Sequence, residues 1–107
     1  MVDVKINKLD DSMTTPHYAH EGDAGIDLRS SEEVTIKPME TKIVKTGLKM
    51  AIPKGYVGLV WDKSGYAAKK SMTTMAGVID SGYRGEIGVV MKNLGEEEFA
   101  ISKNMKI

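Results

Sequence analysis

Gly77-Val78-Ile79-Asp80-Ser81-Gly82-Tyr83-Arg84-Gly85-Glu86-Ile87-Gly88 is the stretch that decides the fold. Apolar residues stand on both sides of Asp80-Ser81-Gly82, and Asp, Ser and Gly are residues that turns select, so the pattern predicts a β-hairpin closed at that tripeptide. The same grammar repeats outward. Val2, Val4 and Ile6 alternate with Asp3, Lys5 and Asn7, the period of a half-buried strand. Ile26 and Leu28 flank Asp27 in the same way, Val34 and Ile36 precede Lys37-Pro38, and Ile43-Val44 follows. Pro53-Lys54-Gly55 reads as a turn, with an apolar run from Tyr56 to Trp61 after it. Gly85 to Met91 and Phe99 to Ile101 read as further strands, and Gly95-Glu96-Glu97-Glu98 as a solvated acidic hairpin tip. Turn residues recur about every 8–12 positions, which predicts a sandwich, jelly roll or barrel. Gly65 to Met72, with Ala67, Ala68, Lys69 and Lys70, holds a helical turn or two, too short for a core helix.

Composition narrows the functional classes. The chain has 107 residues, one domain's worth, and balances 15 Lys+Arg against 15 Asp+Glu. A duplex-DNA binder carries a basic surplus, so nucleic acid is not the expected partner, whereas a small anion needs only a few local cations. No cysteine is present, which removes disulfides, thiolate zinc sites and cysteine nucleophiles. A hydrophobic fraction of 41% suits a folded chain, and no apolar run nears the roughly 18 residues that span a bilayer. Met1 to Asp11 contains acids and no apolar centre, so no signal peptide is read and the expected compartment is the cytoplasm. A chain this small buries only about 60–65% of its unfolded surface, which makes oligomerisation the expected supplement.

Three segments concentrate Gly, Asp and Ser. In Gly22-Asp23-Ala24-Gly25-Ile26-Asp27-Leu28, Asp27 reads either as a wet-face residue entering a strand or as a carboxylate orienting metal-bound water. In Asp62-Lys63-Ser64-Gly65-Tyr66-Ala67, a strand ends and a helical turn opens. Free amides, a hydroxyl and a lysine there suit phosphate oxygens, and the plainer reading is a Ser N-cap. In the hairpin, Asp80 is either a turn residue or, with Tyr83 three positions on, a compact ligand grip of carboxylate and flat ring. His17 and His20 form an HxxH pair without a third ligand and read as loop residues, and the eight methionines as core filler.

Together the three segments resemble motifs one, two and three of the trimeric dUTP diphosphatases. Gly25-Ile26-Asp27-Leu28 resembles A-G-h-D-L, Ser64-Gly65 with Ala67 resembles R-S-G-h-A, and Gly77-Val78-Ile79-Asp80 with Tyr83 and Gly85 resembles G-h-I-D-x-x-Y-x-G. Their order and spacing agree, and the resemblance spans nearly the whole chain. Lys63 stands in place of the usual Arg, exchanging a bidentate phosphate contact for a point charge. Tyr66 replaces a Leu, Gly82 an acid, and Thr74 an Asn near the base. Lys103-Asn104-Met105-Lys106-Ile107 resembles the start of motif four, with Asn104-Met105-Lys106 in place of G-D-R. The rest of motif four and the glycine-rich motif five do not occur in residues 1–107, for which the expectation is binding of a deoxyuridine nucleotide with slow hydrolysis.

The resemblance implies a single domain over 1–107, all-β, a distorted jelly-roll or sandwich barrel with one short helical turn, assembled as a homotrimer with active sites between subunits. It implies hydrolysis of dUTP to dUMP and pyrophosphate with magnesium, keeping uracil out of DNA and supplying dUMP for thymidylate synthesis. Asp80 is then the base for the attacking water. Lys63, Ser64 and Gly65 hold phosphates, and Asp27 orients magnesium-bound water without ligating the ion. Tyr83 lies under the deoxyribose, and Thr74, Gly77, Val78, Ile79 and Gly88 surround the base. Two other readings differ in class. A dCTP deaminase shares the fold but needs a Glu where Val90 stands, in Val89-Val90-Met91-Lys92-Asn93. A non-catalytic deoxynucleotide-binding trimer keeps the fold and the pocket alone.

Overall fold

A computed structural model describes residues 1–107 as nine short strands and one helix. The strands are β1 (Lys5–Lys8), β2 (Val34–Ile36), β3 (Thr41–Lys45), β4 (Leu48–Ala51), β5 (Gly58–Leu59), β6 (Met72–Met75), β7 (Val78–Ile79), β8 (Gly88–Asn93) and β9 (Phe99–Ile101). The helix α1 (Ser64–Lys70) lies between β5 and β6. Every pairing is antiparallel, in four small sheets: β1-β4, β2-β9, β3-β8-β6 and β5-β7. This is the distorted jelly roll expected from the sequence.

One face of the three-stranded sheet makes the core. Val44 opposes Val89 and Met72 opposes Asn93, and residues directly opposite share a face. Ile36, Val44, Met72, Val89, Met91, Phe99, Ile101 and Ile107 form one buried cluster. Each such side chain contributes roughly 1.5–3 kcal/mol by leaving water. The helix joins this core through Tyr66, whose ring meets Phe99 edge-on at 5.1 Å and 74°. Fully buried Asn93 fixes the exit of β8: its amide donates to the Ile36 and Glu97 carbonyls, and its Oδ1 accepts from Gly95 N–H.

The opposite face of the same sheet carries one apolar stripe between polar residues. Ile43 and Met75 both oppose Val90, which makes an Ile43–Val90–Met75 stripe across three strands, with Ile43 66% exposed. Leu59 and Val78 form a second exposed apolar pair between β5 and β7.

Several expectations need correction. The turn at 80–83 exists, with Tyr83 N–H donating to the Asp80 carbonyl at 3.0 Å, but it does not join two strands of a hairpin. β7 pairs with β5, whereas Ile87 N–H goes to the Leu48 carbonyl and β8 begins only at Gly88. The chain crosses from one sheet to another, because its partners on either side of the turn lie in different layers. Likewise 95–98 is a corner, since β8 pairs with β3 and β6 and β9 with β2. Residues 26–28 form no strand; their neighbour is the short 104–107 segment, with a single bridge, Arg29 to Lys106. Only Gly58-Leu59 of the Tyr56–Trp61 run enters a ladder, and β1 starts at Lys5, leaving Val2 and Val4 outside it. β4 and β6 were not anticipated; Met72-Thr73-Thr74-Met75 carries two polar residues at its centre, which masked its strand character.

Candidate active site

Backbone pairing brings the first motif beside the C-terminal segment. Ile107 N–H donates to the Leu28 carbonyl, Ser30 N–H to Met105, and Asn104 N–H to Ser30. Asn104 has φ +68, a left-handed conformation that Gly or Asn accepts most readily, and it stands where the resembled motif has Gly. This pairing sets Lys106 next to Asp27. The Asp27 carboxylate takes Lys63 Nζ at 2.7 Å on Oδ1 and Lys106 Nζ at 3.2 Å on Oδ2. The Lys63 hydrogen bond is the largest cause of a carboxyl held below its ordinary range; desolvation opposes it and Lys106 adds to it.

Lys63 is extended (φ −75, ψ 116) and Ser64 is the first helical residue. No side chain caps α1 and no acid lies in its first turn, so the Ser64 hydroxyl is not the N-cap that the plainer reading expected. Amides of a first helical turn have no intrahelical acceptor, so those of Ser64 and Gly65 are open to an outside one. Asp27, Lys63 and Ile79 border a cavity of about 1010 Å³, otherwise mainly apolar, whose walls include Val4, Met50 and Trp61.

The third motif reaches the same cavity through Ile79. Gly77 has φ +111, and a Cβ there would come within 2.8 Å of the Val60 carbonyl oxygen, whose own N–H donates to Gly77 O. This position requires glycine. Val78 is exposed and Ile79 half-buried. Asp80 and Tyr83 are both exposed. The Tyr83 hydroxyl donates to the Glu86 carbonyl at 2.7 Å, so its ring lies against its own loop over Gly85, which has no room for a Cβ. Gly88 is exposed beside Ile43. Thr74 gives both its amide and its hydroxyl to Asp62 at 2.6 Å. The structure therefore joins Asp27 with Lys63, next to Ser64 and Gly65. No hydrogen bond or ion pair within the chain links Asp80 or Tyr83 to that group.

Three His, Cys, Asp or Glu side chains nowhere gather as a metal cage. His17 Nδ1 faces the Thr15 carbonyl, and His20 N–H donates to Asp23. Magnesium keeps several waters and takes phosphate oxygens as ligands. Both Asp27 oxygens are paired with lysines, so this carboxylate is not free to ligate an ion directly.

Sequence reasoning missed Lys106 and Asp62. Lys106 had only its place in a weakened motif four to mark it. Asp62 sits beside Lys63, but nothing local signals that its partners are Thr73 and Thr74.

The family model for dUTPase matches residues 11–107. The deoxyuridine 5'-triphosphate nucleotidohydrolase of Clostridium novyi (strain NT) is 47% identical over 104 residues, covering 95% of this chain and 73% of the relative. That of Clostridium kluyveri is 48% identical over 108 residues, 99% of this chain and 76% of the relative. Among solved structures, the Staphylococcus bacteriophage 80alpha dUTPase with dUPNHPP superposes with a TM-score of 0.93 at 28% identity, covering 100% of this chain and 79% of that one. A mutant dUTPase from phage phi11 of S. aureus, whose structure details coordination of a structural Mg(II) ion, gives 0.82 at 35% identity, with 88% and 61% covered.

Proposed function

This chain belongs to the dUTPase family, and we propose that it hydrolyses dUTP to dUMP and pyrophosphate at sites completed between copies of the chain. The observation that carries this reading is the meeting of Asp27, Lys63 and Lys106 beside Ser64-Gly65. Two ammoniums, a hydroxyl and open helix-start amides in one place make a receptor for a polyanion.

Assembly follows from the separation of the two groups of residues. Asp80 and Tyr83 are exposed, and no hydrogen bond or ion pair of their own chain ties them to the phosphate side. A second copy supplies them. The Ile43–Val90–Met75 stripe and the Leu59–Val78 pair are the apolar surface available to bury in a homotrimer.

Within that site Lys63, Ser64 and the Gly65 amide hold the phosphates. Lys63 exchanges one anionic partner, Asp27, for another. Asp80 accepts the proton of the water that attacks the α-phosphorus. A carboxylate is a weak base, so most of the acceleration comes from positioning and charge neutralisation. Magnesium, when bound with the triphosphate, supplies part of that neutralisation, and Asp27 accepts hydrogen bonds from its waters. The Tyr83 ring forms a wall under the sugar that a 2′-hydroxyl would meet. Gly77, Val78, Ile79 and Gly88 offer backbone to the uracil, with Thr74 at its edge. Such a backbone slot rejects the thymine methyl by overpacking and cytosine by donor-acceptor mismatch.

Pyrophosphate release from dUTP, with dCTP, dTTP and UTP as competitors, tests the assignment. Turnover of dUTP alone is expected. Release of ammonia from dCTP would replace it with the deaminase reading, and binding without turnover would replace it with the non-catalytic one.

A further inference from the structure

α1 is an insecure platform for phosphate-binding residues. It is seven residues long, buries none of them and has no side-chain cap. A helix that short does not hold itself in water, so its start must be fixed from outside. On the side of Lys63 and Ser64 the fixing contacts come from two carboxylates. Asp27 takes the Lys63 ammonium, and Asp62, one residue earlier in the chain, takes β6.

The Asp62 contact is dense. Its Oδ1 accepts from the Thr74 amide and the Thr74 hydroxyl, both at 2.6 Å, and its Oδ2 accepts from the Thr73 hydroxyl at 3.0 Å. These bonds span 11 and 12 residues of sequence and close the loop that contains α1. Both carboxylate oxygens are therefore engaged by β6. The Thr74 bonds lead the causes that hold this carboxyl below its ordinary range, so it stays ionised and keeps accepting. β6 ends at Met75, and the chain turns through Ala76 (φ +62) into Gly77, where the base-side backbone begins.

We propose that Asp62 is a positioning residue, which fixes Lys63, Ser64 and Gly65 relative to the strand leading into Gly77. It acts through those residues and touches no reacting atom. This rests on the functional reading above. Because the reaction depends on where phosphates sit relative to a held base and sugar, loosening this tie affects turnover before nucleoside recognition.

The test uses the full chain with Asp62→Ala, Asp62→Asn and Thr73→Val. The measurements are kcat and KM for dUTP, calorimetric affinity for dUMP, and melting temperature. Asp62→Ala is expected to lower kcat about tenfold and dUMP affinity by less, about threefold at most, since Thr74 at the base edge also loses its Asp62 partner. Asp62→Asn is expected to recover most of the loss. Its amide oxygen still accepts both Thr74 donors, and its NH2 can donate to the Thr73 oxygen. Thr73→Val removes the Oδ2 bond, together with the longer 3.3 Å contact of the same hydroxyl to the Thr74 carbonyl, and leaves both Thr74 bonds to Asp62 in place. It is expected to give about a threefold loss in kcat, which carries the test if Asp62→Ala does not fold. An unchanged kcat overturns the inference, as does an equal fall in kcat and dUMP affinity, or an Asn variant no better than Ala. A wild-type chain that neither binds nor hydrolyses dUTP overturns the functional reading itself.

Discussion

Lys63 Nζ lies 2.7 Å from Asp27 Oδ1, so the cation assigned to the phosphates is already charge-paired within its own chain. Triphosphate binding is then an exchange of anions. Lys63→Met is expected to raise KM for dUTP by about tenfold or more, with dUMP affinity falling less, since one charge-assisted contact is lost. Lys63→Arg keeps the charge, adds a fork and is expected to hold KM at or below the wild-type value. Steady-state kinetics on the three proteins decide it; an unchanged KM in Lys63→Met would take this lysine off the phosphates.

Asp80→Asn should separate binding from chemistry. The amide has nearly the shape of the carboxylate but cannot accept a proton from water, so a loss of about a hundredfold or more in turnover is expected with binding of a non-hydrolysable dUTP analogue retained. Calorimetry beside a pyrophosphate assay measures both. Turnover within about threefold of wild type would show that another group is the base.

Ile43 sits at the middle of the edge strand β3, 66% exposed and opposite Val90, between the outward-facing Thr41 and Lys45. Ile43→Lys places an ammonium in the apolar stripe, beside Val90, without entering the core. Light scattering is expected to show the wild type at trimer mass and the variant dissociated, with turnover lost in parallel if, as proposed, another copy supplies Asp80 and Tyr83. A wild type at monomer mass would contradict the assembly.

Acid should loosen a tie between distant parts of the chain. Asp10 accepts from Lys103 first, and from the Ser12 hydroxyl and amide, and its carboxyl falls from an ordinary 3.8 to about 2. A pKa lowered in the folded state adds stability above the unfolded value. That stability is lost as pH falls through the folded value, here between 3.8 and about 2. Asp27, Asp62 and Glu40 shift in the same direction. Melting temperature is therefore expected to drop over that window. Lys103→Met should melt lower than wild type near neutral pH, and the gap should close by about pH 2. A gap that persists there would assign the effect of Lys103 to packing.

The sequence showed the all-β class because alternation and turn residues are local, as at Val34–Ile36 and Phe99–Ile101. Which strand meets which was not legible. The Asp80 turn looks like a hairpin from within, and only the separate demands of β5 on one side and Leu48 on the other show a crossover. The site was legible as motifs, through Asp27, Ser64-Gly65 and the Gly77–Tyr83 run. Lys106 and Asp62 were not, because each acquires its partner through folding: Lys106 by the pairing of 104–107 with 28–30, and Asp62 across α1.

Thr14 and Asn104 hold each other twice: Thr14 N–H reaches Asn104 Oδ1 at 3.1 Å, and Asn104 Nδ2 reaches the Thr14 hydroxyl at 2.9 Å. The two residues are 90 positions apart. On a ribosome, nearly everything between them emerges before the second partner exists, so until then the 10–14 loop is held only by its other contacts, such as Lys8 Nζ on the Met13 carbonyl and the buried Met13 side chain. The entropy of closing so long a loop must be met before either bond gives anything back, which places this contact late on the folding route. Substitutions at Thr14 or Asn104 should then speed unfolding and leave the refolding rate nearly untouched.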